Sequence, residues 1–244
     1  MNSQIQNITK IIKQAGEIFK KGFADKNLII EDKANSLDIV TQYDKKIEKF
    51  IVTELTKLYP EYNYIGEEGS KIEIKDIDNT FIIDPIDGTM NFSQKNDYCC
   101  ISIAIYQNGK PHSAVIYRPM KDTLFTAEYN KGAYVNEKQV FKNDNKKNIC
   151  RKGIHVGWEL DPEFINYEAE KTIEYSKVHR ESCAVLDICS VGTGDITEYI
   201  FSNISIWDVA ACSIFAGELG VSVNNFNHSK LKFNSIMKLS GYAK

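Results

Sequence analysis

Long apolar runs, CxxC pairs of cysteines and a strong excess of either charge are missing from this sequence of 244 residues. No apolar run reaches the roughly 20 residues that a membrane-spanning helix needs, so no membrane insertion is expected. The N-terminus has no basic region followed by an apolar core, which predicts no signal peptide and a cytoplasmic location. Lys and Arg number 30 against 33 Asp and Glu, and this balance argues against nucleic acid or an anionic membrane as the main partner.

The cysteines and histidines also lack the spacing of a disulfide framework or a zinc site. The six cysteines include no CxxC pair, and the four histidines are far apart. A chain of this length can bury a core without disulfides, so we expect buried or free thiols in a reducing compartment. The 43% of apolar and 26% of charged residues are typical of a globular protein and argue against disorder or a coiled coil.

The first half of the chain predicts two helices followed by a meander of strands. Apolar residues recur at helical spacing in the first segment, with Ser3 as the candidate cap, and again over about Thr41 to Tyr59. Pro60 then ends the second helix. Short apolar runs between Thr80 and Val135, with an Asn-Gly turn at 108–109, predict strands.

The second half alternates between helix and strand patterns. It predicts a strand at Gly153–Val156, helices at Pro162–Tyr175, Ser182–Val191 and Trp207–Leu219, and a strand at Val221–Val223. The mixture favours an α/β or α+β sandwich. The polar segment Phe141–Lys152 is the candidate internal boundary.

The most informative stretch is the hexapeptide Asp84-Pro85-Ile86-Asp87-Gly88-Thr89, which directly follows the apolar run 81–83. Two carboxylates therefore lie where a buried strand ends. Pro85 stiffens the turn between them, and Gly88 allows other groups to approach the backbone closely. A helix that begins near Thr89 would offer free N–H groups to an anion. Carboxylates beside such a site need a cation between them, and oxygen ligands favour Mg²⁺ or Mn²⁺.

The spacing of the two aspartates argues against one rival. Haloacid-dehalogenase phosphatases carry a similar signature, but their nucleophile and acid/base stand two residues apart. Asp84 and Asp87 stand three apart, which does not suit an aspartyl-phosphate mechanism but does suit metal ligation.

Two further acidic stretches flank this motif. Glu67 and Glu68 stand in a glycine-flanked segment, a pattern that also suits a solvated loop. Asp208 follows Trp207 at the start of a predicted helix, where it can interact with the helix dipole or point into a cleft. Neither stretch by itself decides between a structural and a functional role.

Together the three stretches resemble the inositol monophosphatase family of metal-dependent phosphatases. The family pattern is a Glu-Glu loop, then Asp-Pro-Ile-Asp-Gly-Thr followed by Asn-Phe, then Trp-Asp-x-Ala-Ala. This sequence matches it at 66–68, 84–92 and 207–211, with further matches at Lys33, 38–41, Asp44 and 131–136. The matches follow the family order over nearly the whole chain.

The resemblance implies a layered αβαβα sandwich of the inositol monophosphatase and fructose-1,6-bisphosphatase type. It implies one domain over residues 1–244, with an N-terminal half to about 141 and a C-terminal half from about 153. A homodimer is also expected from the family. The chain stops at Lys244, about where relatives finish their last strand, so the final helix of the family is expected to be missing.

The resemblance also implies two or three Mg²⁺ ions in each active site. The residues expected to hold the first ion are Glu67, Asp84 and the carbonyl of Ile86. Those expected to hold the second are Asp84, Asp87 and Asp208. A third, weaker ion lies near Glu67 in some members of the family.

Hydrolysis of a phosphomonoester by a metal-activated water is the reaction that the resemblance implies. The N–H groups of Gly88 and Thr89 would hold the phosphate, and Glu67 with Thr89 would orient and deprotonate the water. Asp44 would accept a hydrogen bond from the Thr89 hydroxyl, and Lys33 would add positive charge near the site. No covalent phosphoenzyme is expected.

The expected substrate pocket departs from the family pattern. Phe201 stands seven residues before Asp208, where inositol phosphatases have a glutamate that touches sugar hydroxyls. Ser182-Cys183-Ala184 replaces the family's Gly-Ser/Thr-Ala segment, and the extra side chain of Ser182 can narrow the pocket. A small polyol or sugar phosphate is still the predicted substrate.

Three alternatives stay open. Adenosine 3′,5′-bisphosphate nucleotidases and fructose-1,6-bisphosphatases belong to the same superfamily. A catalytically silent regulatory binding protein is the alternative of another class, although such relatives normally lose a metal ligand and every ligand position is occupied here.

Overall fold

The computed structural model describes residues 2–35, 38–69, 78–143, 149–154, 162–226 and 239–244. The helices within these ranges are α1 (Ser3–Ala24), α2 (Gln42–Leu58), α3 (Thr89–Ser93), α4 (Pro162–Glu174), α5 (Ala184–Thr193) and α6 (Ile206–Gly217). A short 3₁₀ turn covers Pro119–Lys121. Among the described residues, no helix combines the length and apolar character that crossing a bilayer requires.

The strands of the described ranges fall into three sheets. They are β1 (Ile30–Asn35), β2 (Asp38–Thr41), β3 (Asn63–Gly66), β4 (Thr80–Asp87), β5 (Cys100–Gln107), β6 (Lys110–Arg118), β7 (Thr123–Glu128), β8 (Gly132–Val135), β9 (Lys138–Val140), β10 (Ile149–Ile154), β11 (Lys177–His179), β12 (Glu198–Ile204), β13 (Val223–Asn224) and β14 (Leu239–Ala243). β1 and β2 form an antiparallel pair, and β3 to β9 form a seven-stranded sheet in chain order. The third sheet has the order β11-β10-β12-β14-β13.

Successive side chains of β4 point to opposite faces of its sheet, and their contacts show how the layers are built. Phe81 and Ile83 join the core cluster that contains the buried faces of α1 and α2. Ile82 points to the other side, into a cluster that also contains α5, α6 and apolar residues of β12 and β14. The helix α4 packs on the far face of the five-stranded sheet, where Phe164 meets Ile200 in a third cluster. The layers follow the order αβαβα, and this confirms the predicted fold class.

Several boundaries differ from the sequence prediction. Asn2, and not Ser3, caps α1, since its side chain accepts a hydrogen bond from the N–H of Ile5 at 2.8 Å. The helix α5 begins at Ala184, two residues later than predicted, and the strand after α6 lies at Val223–Asn224.

The sequence prediction missed β12, the strand that leads to α6. All seven of its residues are buried, so it lacks the alternation of a half-exposed strand, and it begins with a charged residue. The hydroxyls of Tyr167 and Tyr175 donate to the buried Glu198 carboxylate at 2.6 and 2.7 Å, which makes that burial tolerable. The strands β1, β2, β3, β9 and β11 were not predicted either.

The predicted internal boundary is only partly described. Residues 144–148 lie outside the described ranges, and β10 already begins at Ile149. Residues 155 and 156 of the predicted strand Gly153–Val156 also lie outside them.

Candidate metal centre

A bulge in β4 brings two aspartates to one place. Asp84 pairs with Ser102 of β5, and the register then shifts so that Asp87 pairs with Cys100. Residues three apart in a regular strand point to opposite faces, and the extra residue of a bulge removes that alternation. The sequence predicted a turn at Pro85, which was wrong, because the strand continues to Asp87 through the bulge.

Asp208 approaches the same place from the start of α6. Its Oδ2 accepts a hydrogen bond from the N–H of Ser205 at 2.6 Å, so the side chain folds back over the first turn of the helix. One ligand oxygen from each of Asp84, Asp87 and Asp208 lies within 4.8 Å of the others. These three residues form what we call the acidic cluster, and the capping role of Asp208 sets its position there.

Burial and mutual repulsion raise the pKa values of Asp84 and Asp87 in the acidic cluster. Burial first, and then the charges of Glu67, Asp87 and Asp208, raise the pKa of Asp84 well above its usual range. Burial and the charge of Asp208 raise the pKa of Asp87 to about 7. Carboxylates this close in a water-poor site need either protons or a cation. An all-oxygen donor set fits a hard divalent cation such as Mg²⁺ or Mn²⁺.

Lys33 joins the two glutamates after β3. Its Nζ lies 2.6 Å from Glu67 Oε1 and 2.5 Å from Glu68 Oε1. Burial lowers the pKa of Lys33, but the two carboxylates outweigh it and raise that pKa, so the ammonium stays charged. Burial also raises the pKa of Glu67 to about 8, with repulsion from Asp208 contributing. The glutamate pair therefore lies beside the acidic cluster and is not a solvated loop.

The capping box of α2 positions a hydroxyl near the bulge. Asp44 is fully buried, and its Oδ2 accepts from the Thr41 N–H at 2.9 Å while Thr89 Oγ1 lies 3.1 Å from its Oδ1. The Thr89 hydroxyl also lies 2.9 Å from the Ile86 carbonyl. Burial raises the pKa of Asp44 to about 6. The predicted contact between Asp44 and Thr89 is present, and its role in orienting water stays a prediction.

Gly88 turns the chain from β4 into α3. Its φ of +85° is left-handed, and it caps α3 at the position where the sequence predicted phosphate binding. A Cβ here would lie 3.1 Å from the Tyr98 carbonyl and 3.2 Å from the Ser182 carbonyl. The side chain of Asn91 holds this arrangement, since its Nδ2 donates to the carbonyls of Tyr98 and Glu181 at 2.8 and 2.7 Å.

Replacing Gly88 by Ala is expected to destabilise the fold. The left-handed backbone costs a residue with a Cβ about 1–2 kcal/mol, and crowding against the two carbonyls adds about 1–3 kcal/mol. Gly109→Ala is the matched control, because Gly109 has a φ of +70° but nothing within 4 Å of its Cβ position. Urea unfolding of both variants measures the difference, and an equal loss of stability in the two would contradict the crowding argument.

The predicted pocket residues lie in two different environments. Ser182 has a left-handed φ of +59°, and Cys183 and Ala184 are buried at the start of α5. Phe201 is fully buried and stacks on Tyr199 at 5.7 Å between ring centroids. The expectation that Phe201 lines a substrate pocket is therefore corrected, because core side chains of the central layers cover its ring.

Sequence reasoning missed the groups that hold Asp87 in place. The Val185 N–H and the Cys183 thiol donate to Asp87 Oδ2 at 2.7 and 2.9 Å. A backbone N–H has no signature in a sequence, and these residues are almost 100 positions away along the chain. The family motif at 182–184 was the available signal for this contact.

Comparison with known proteins decides the family. A model of the inositol monophosphatase family matches residues 1–240. The chain belongs to the inositol monophosphatase family. Membership confirms the resemblance carried by the three acidic stretches and makes this chain part of a phosphatase superfamily.

Similar members of the inositol monophosphatase family carry two kinds of name. "Nus factor SuhB" of Pasteurella multocida is 30% identical over 238 residues, which cover 95% of this chain and 89% of that protein. "Inositol-1-monophosphatase" of Bacillus subtilis is 31% identical over 221 residues, which cover 86% and 81% respectively. The crystal structure of extragenic suppressor protein suhB from Bartonella henselae matches with a TM-score of 0.87 at 28% identity, over 99% of this chain and 93% of that one.

Proposed function

We propose that this chain is a Mg²⁺-dependent phosphomonoesterase that hydrolyses a small polyol or sugar phosphate similar to inositol 1-phosphate. The observation that carries the proposal is the acidic cluster, whose ligand oxygens lie within 4.8 Å of one another although they come from β4 and α6. Glu67 is close enough that its charge raises the pKa of Asp84. The name of the Bacillus subtilis relative supports the substrate class.

Two or three divalent cations are proposed to bind here. The groups that would hold them are the carboxylates of Glu67, Asp84, Asp87 and Asp208 and the carbonyl of Ile86. When bound, such cations polarise a phosphoryl oxygen and lower the pKa of water. The ammonium of Lys33 keeps Glu67 and Glu68 together and would add positive charge beside a bound phosphate.

The side chains around Thr89 can prepare water for attack. Because the Thr89 hydroxyl donates to Asp44, its oxygen can accept a hydrogen bond from a water molecule and orient it. Glu67 is the proposed base that takes the proton of that water. The N–H groups of Gly88 and Thr89 at the start of α3 would hold the phosphate.

The family also suggests the setting in which the enzyme works. We propose a homodimer in the cytoplasm, with a small phosphorylated molecule as its ligand and no nucleic acid or membrane partner. Analytical ultracentrifugation would measure the oligomeric state directly, and a monomer at micromolar concentration would contradict that part of the proposal.

A second candidate is a regulatory binding protein without turnover. The observation that favours it is the 30% identity to a protein named Nus factor SuhB. The complete set of candidate ligands at Glu67, Asp84, Asp87 and Asp208 favours the enzyme instead, because a protein that has lost catalysis need not keep three converging carboxylates with a fourth beside them.

Phosphate release measured across a substrate panel tests the proposal. The panel contains inositol 1-phosphate, fructose 1,6-bisphosphate, adenosine 3′,5′-bisphosphate and 2′-AMP, each assayed over a range of Mg²⁺ concentrations. We expect Mg²⁺-dependent release that is fastest with inositol 1-phosphate. Faster release from a nucleotide or the sugar bisphosphate would favour the superfamily alternatives. Measurable Mg²⁺ binding with no release from any substrate would favour the binding protein.

A further inference from the structure

Two buried thiols lie directly behind the acidic cluster. The Cys183 thiol donates to Asp87 Oδ2 at 2.9 Å, and Cys183 Sγ lies 4.0 Å from Cys100 Sγ. One atom each from Asp87, Cys100 and Cys183 lies within 4.8 Å of the other two. The three residues are between 0% and 7% exposed, so they form a compact buried group of two sulfurs and one carboxylate.

The secondary structure holds these groups in place. Cys100 begins β5 and is the direct pairing partner of Asp87 in β4. Cys183 caps α5, and the Val185 N–H in the first turn of that helix binds Asp87 at 2.7 Å. A sheet pair and a helix start thus fix the distances, and ligands on rigid elements need little reorganisation to bind an ion.

The distances suit three of the four ligands of a tetrahedral ion. An ion that binds two sulfurs at about 2.3 Å keeps them about 3.8 Å apart, close to the 4.0 Å between the two Sγ atoms. The Asp87 oxygen would have to move from 2.9 Å to about 3.5 Å from Cys183 Sγ as the hydrogen bond is replaced by two metal bonds. Thiolates are soft ligands and select Zn²⁺-like ions over Mg²⁺.

We propose that Asp87, Cys100 and Cys183 form a second metal site that binds a thiophilic divalent cation such as Zn²⁺ or Cd²⁺. Each thiol releases its proton to solvent as its sulfur binds the ion. The ion competes for Asp87 with the all-oxygen site, so its binding inhibits the Mg²⁺-dependent reaction. This inhibition rests on the proposed function, whereas the binding itself does not.

Cadmium titration of the full-length protein under a non-thiol reductant tests the site. The readout is the sulfur-to-cadmium charge-transfer absorption in the ultraviolet, which reports thiolate ligands without any need for turnover. We expect one equivalent to saturate this band in the wild-type protein, and Cys100→Ser and Cys183→Ser each to lose most of it. Cys183→Ala and circular dichroism of each variant separate loss of a ligand from loss of the fold.

Cys99→Ser is the matched control. Cys99 is the direct neighbour of Cys100 and equally buried, but it belongs to the core cluster on the other side of the sheet. This variant is expected to keep the band. A wild-type protein without the band, or a folded Cys183→Ser that keeps it, would overturn the proposal.

The activity assay separates this inference from the proposed function. A cadmium band in a protein that releases no phosphate would leave the thiol site standing and refute the phosphatase. Phosphate release from a protein that shows no cadmium band would refute the thiol site and leave the phosphatase standing. If both hold, Cd²⁺ should inhibit the wild-type protein at about one equivalent, and excess chelator should restore activity. Bound Cd²⁺ without any loss of activity would contradict the competition for Asp87.

Discussion

Asp87→Asn and Glu67→Gln are each expected to lower Mg²⁺-dependent phosphate release by at least about 10³-fold. Asp87→Asn removes one negative charge from the acidic cluster, so the cations that neutralise the phosphate bind weakly. It preserves an oxygen that can accept from the Val185 N–H, which reaches Asp87 at 2.7 Å. Glu67→Gln removes the proposed base together with one metal ligand. Phosphate release under saturating substrate and varied Mg²⁺ gives the measurement.

Asp195→Asn is the control for this experiment. Asp195 is an exposed aspartate whose carboxylate accepts from the Thr193 hydroxyl at 2.8 Å, outside the acidic cluster. It should keep the wild-type rate. Circular dichroism and urea unfolding establish that each variant keeps its fold. Wild-type turnover in both Asp87→Asn and Glu67→Gln would refute the site assignment.

The metal-free protein is expected to become less stable as the pH rises from about 5 to about 8. Burial raises the pKa values of Asp44, Asp87 and Glu67 to about 6, 7 and 8, above their usual values near 4. In this range the folded state binds more protons than the unfolded state, so raising the pH favours unfolding. This contribution to the free energy of unfolding is fully present below the ordinary carboxyl pKa of about 4. It is lost as the pH rises through the raised pKa values of the folded state.

Mg²⁺ should reverse this loss, because it replaces the missing protons as the partner of the buried carboxylates. The loss is on the order of a few kcal/mol, which corresponds to a melting temperature lower by about 5–15 °C. Scanning fluorimetry with Mg²⁺ or with chelator at both pH values gives the test. Carboxylates whose pKa is lowered by neighbouring cations, such as Asp97, contribute the same pH dependence of stability with Mg²⁺ and with chelator, so they cancel in the comparison.

The expected result is a Mg²⁺-induced rise in melting temperature that is larger at pH about 8 than at about 5. The matched variant is Asp87→Asn, which removes one repelling charge. It should be more stable than the wild type without metal at the higher pH, and it should gain less from Mg²⁺. A metal-induced rise that is the same at both pH values would contradict the electrostatic account.

Local patterns in the sequence predicted parts of the fold. The apolar spacing of α1 and α2 and the Asn-Gly turn before β6 are local signals, and the structure confirms the elements they predict. β12 escaped prediction because packing on both faces, and two tyrosine hydroxyls on Glu198, make its burial possible. Those partners lie 31 and 23 residues away along the chain.

The sequence by itself determined the family, the αβαβα fold class and the identity of the acidic residues, because these are recorded as residue types in a fixed order. Only the tertiary structure decided that Asp84 and Asp87 converge, since a bulge cancels the alternation that would separate them. It also decided that Phe201 belongs to the core and that two thiols lie behind Asp87. Such contacts depend on strand register and on layers packed face to face, which bring distant segments together and leave no periodic signal in the chain.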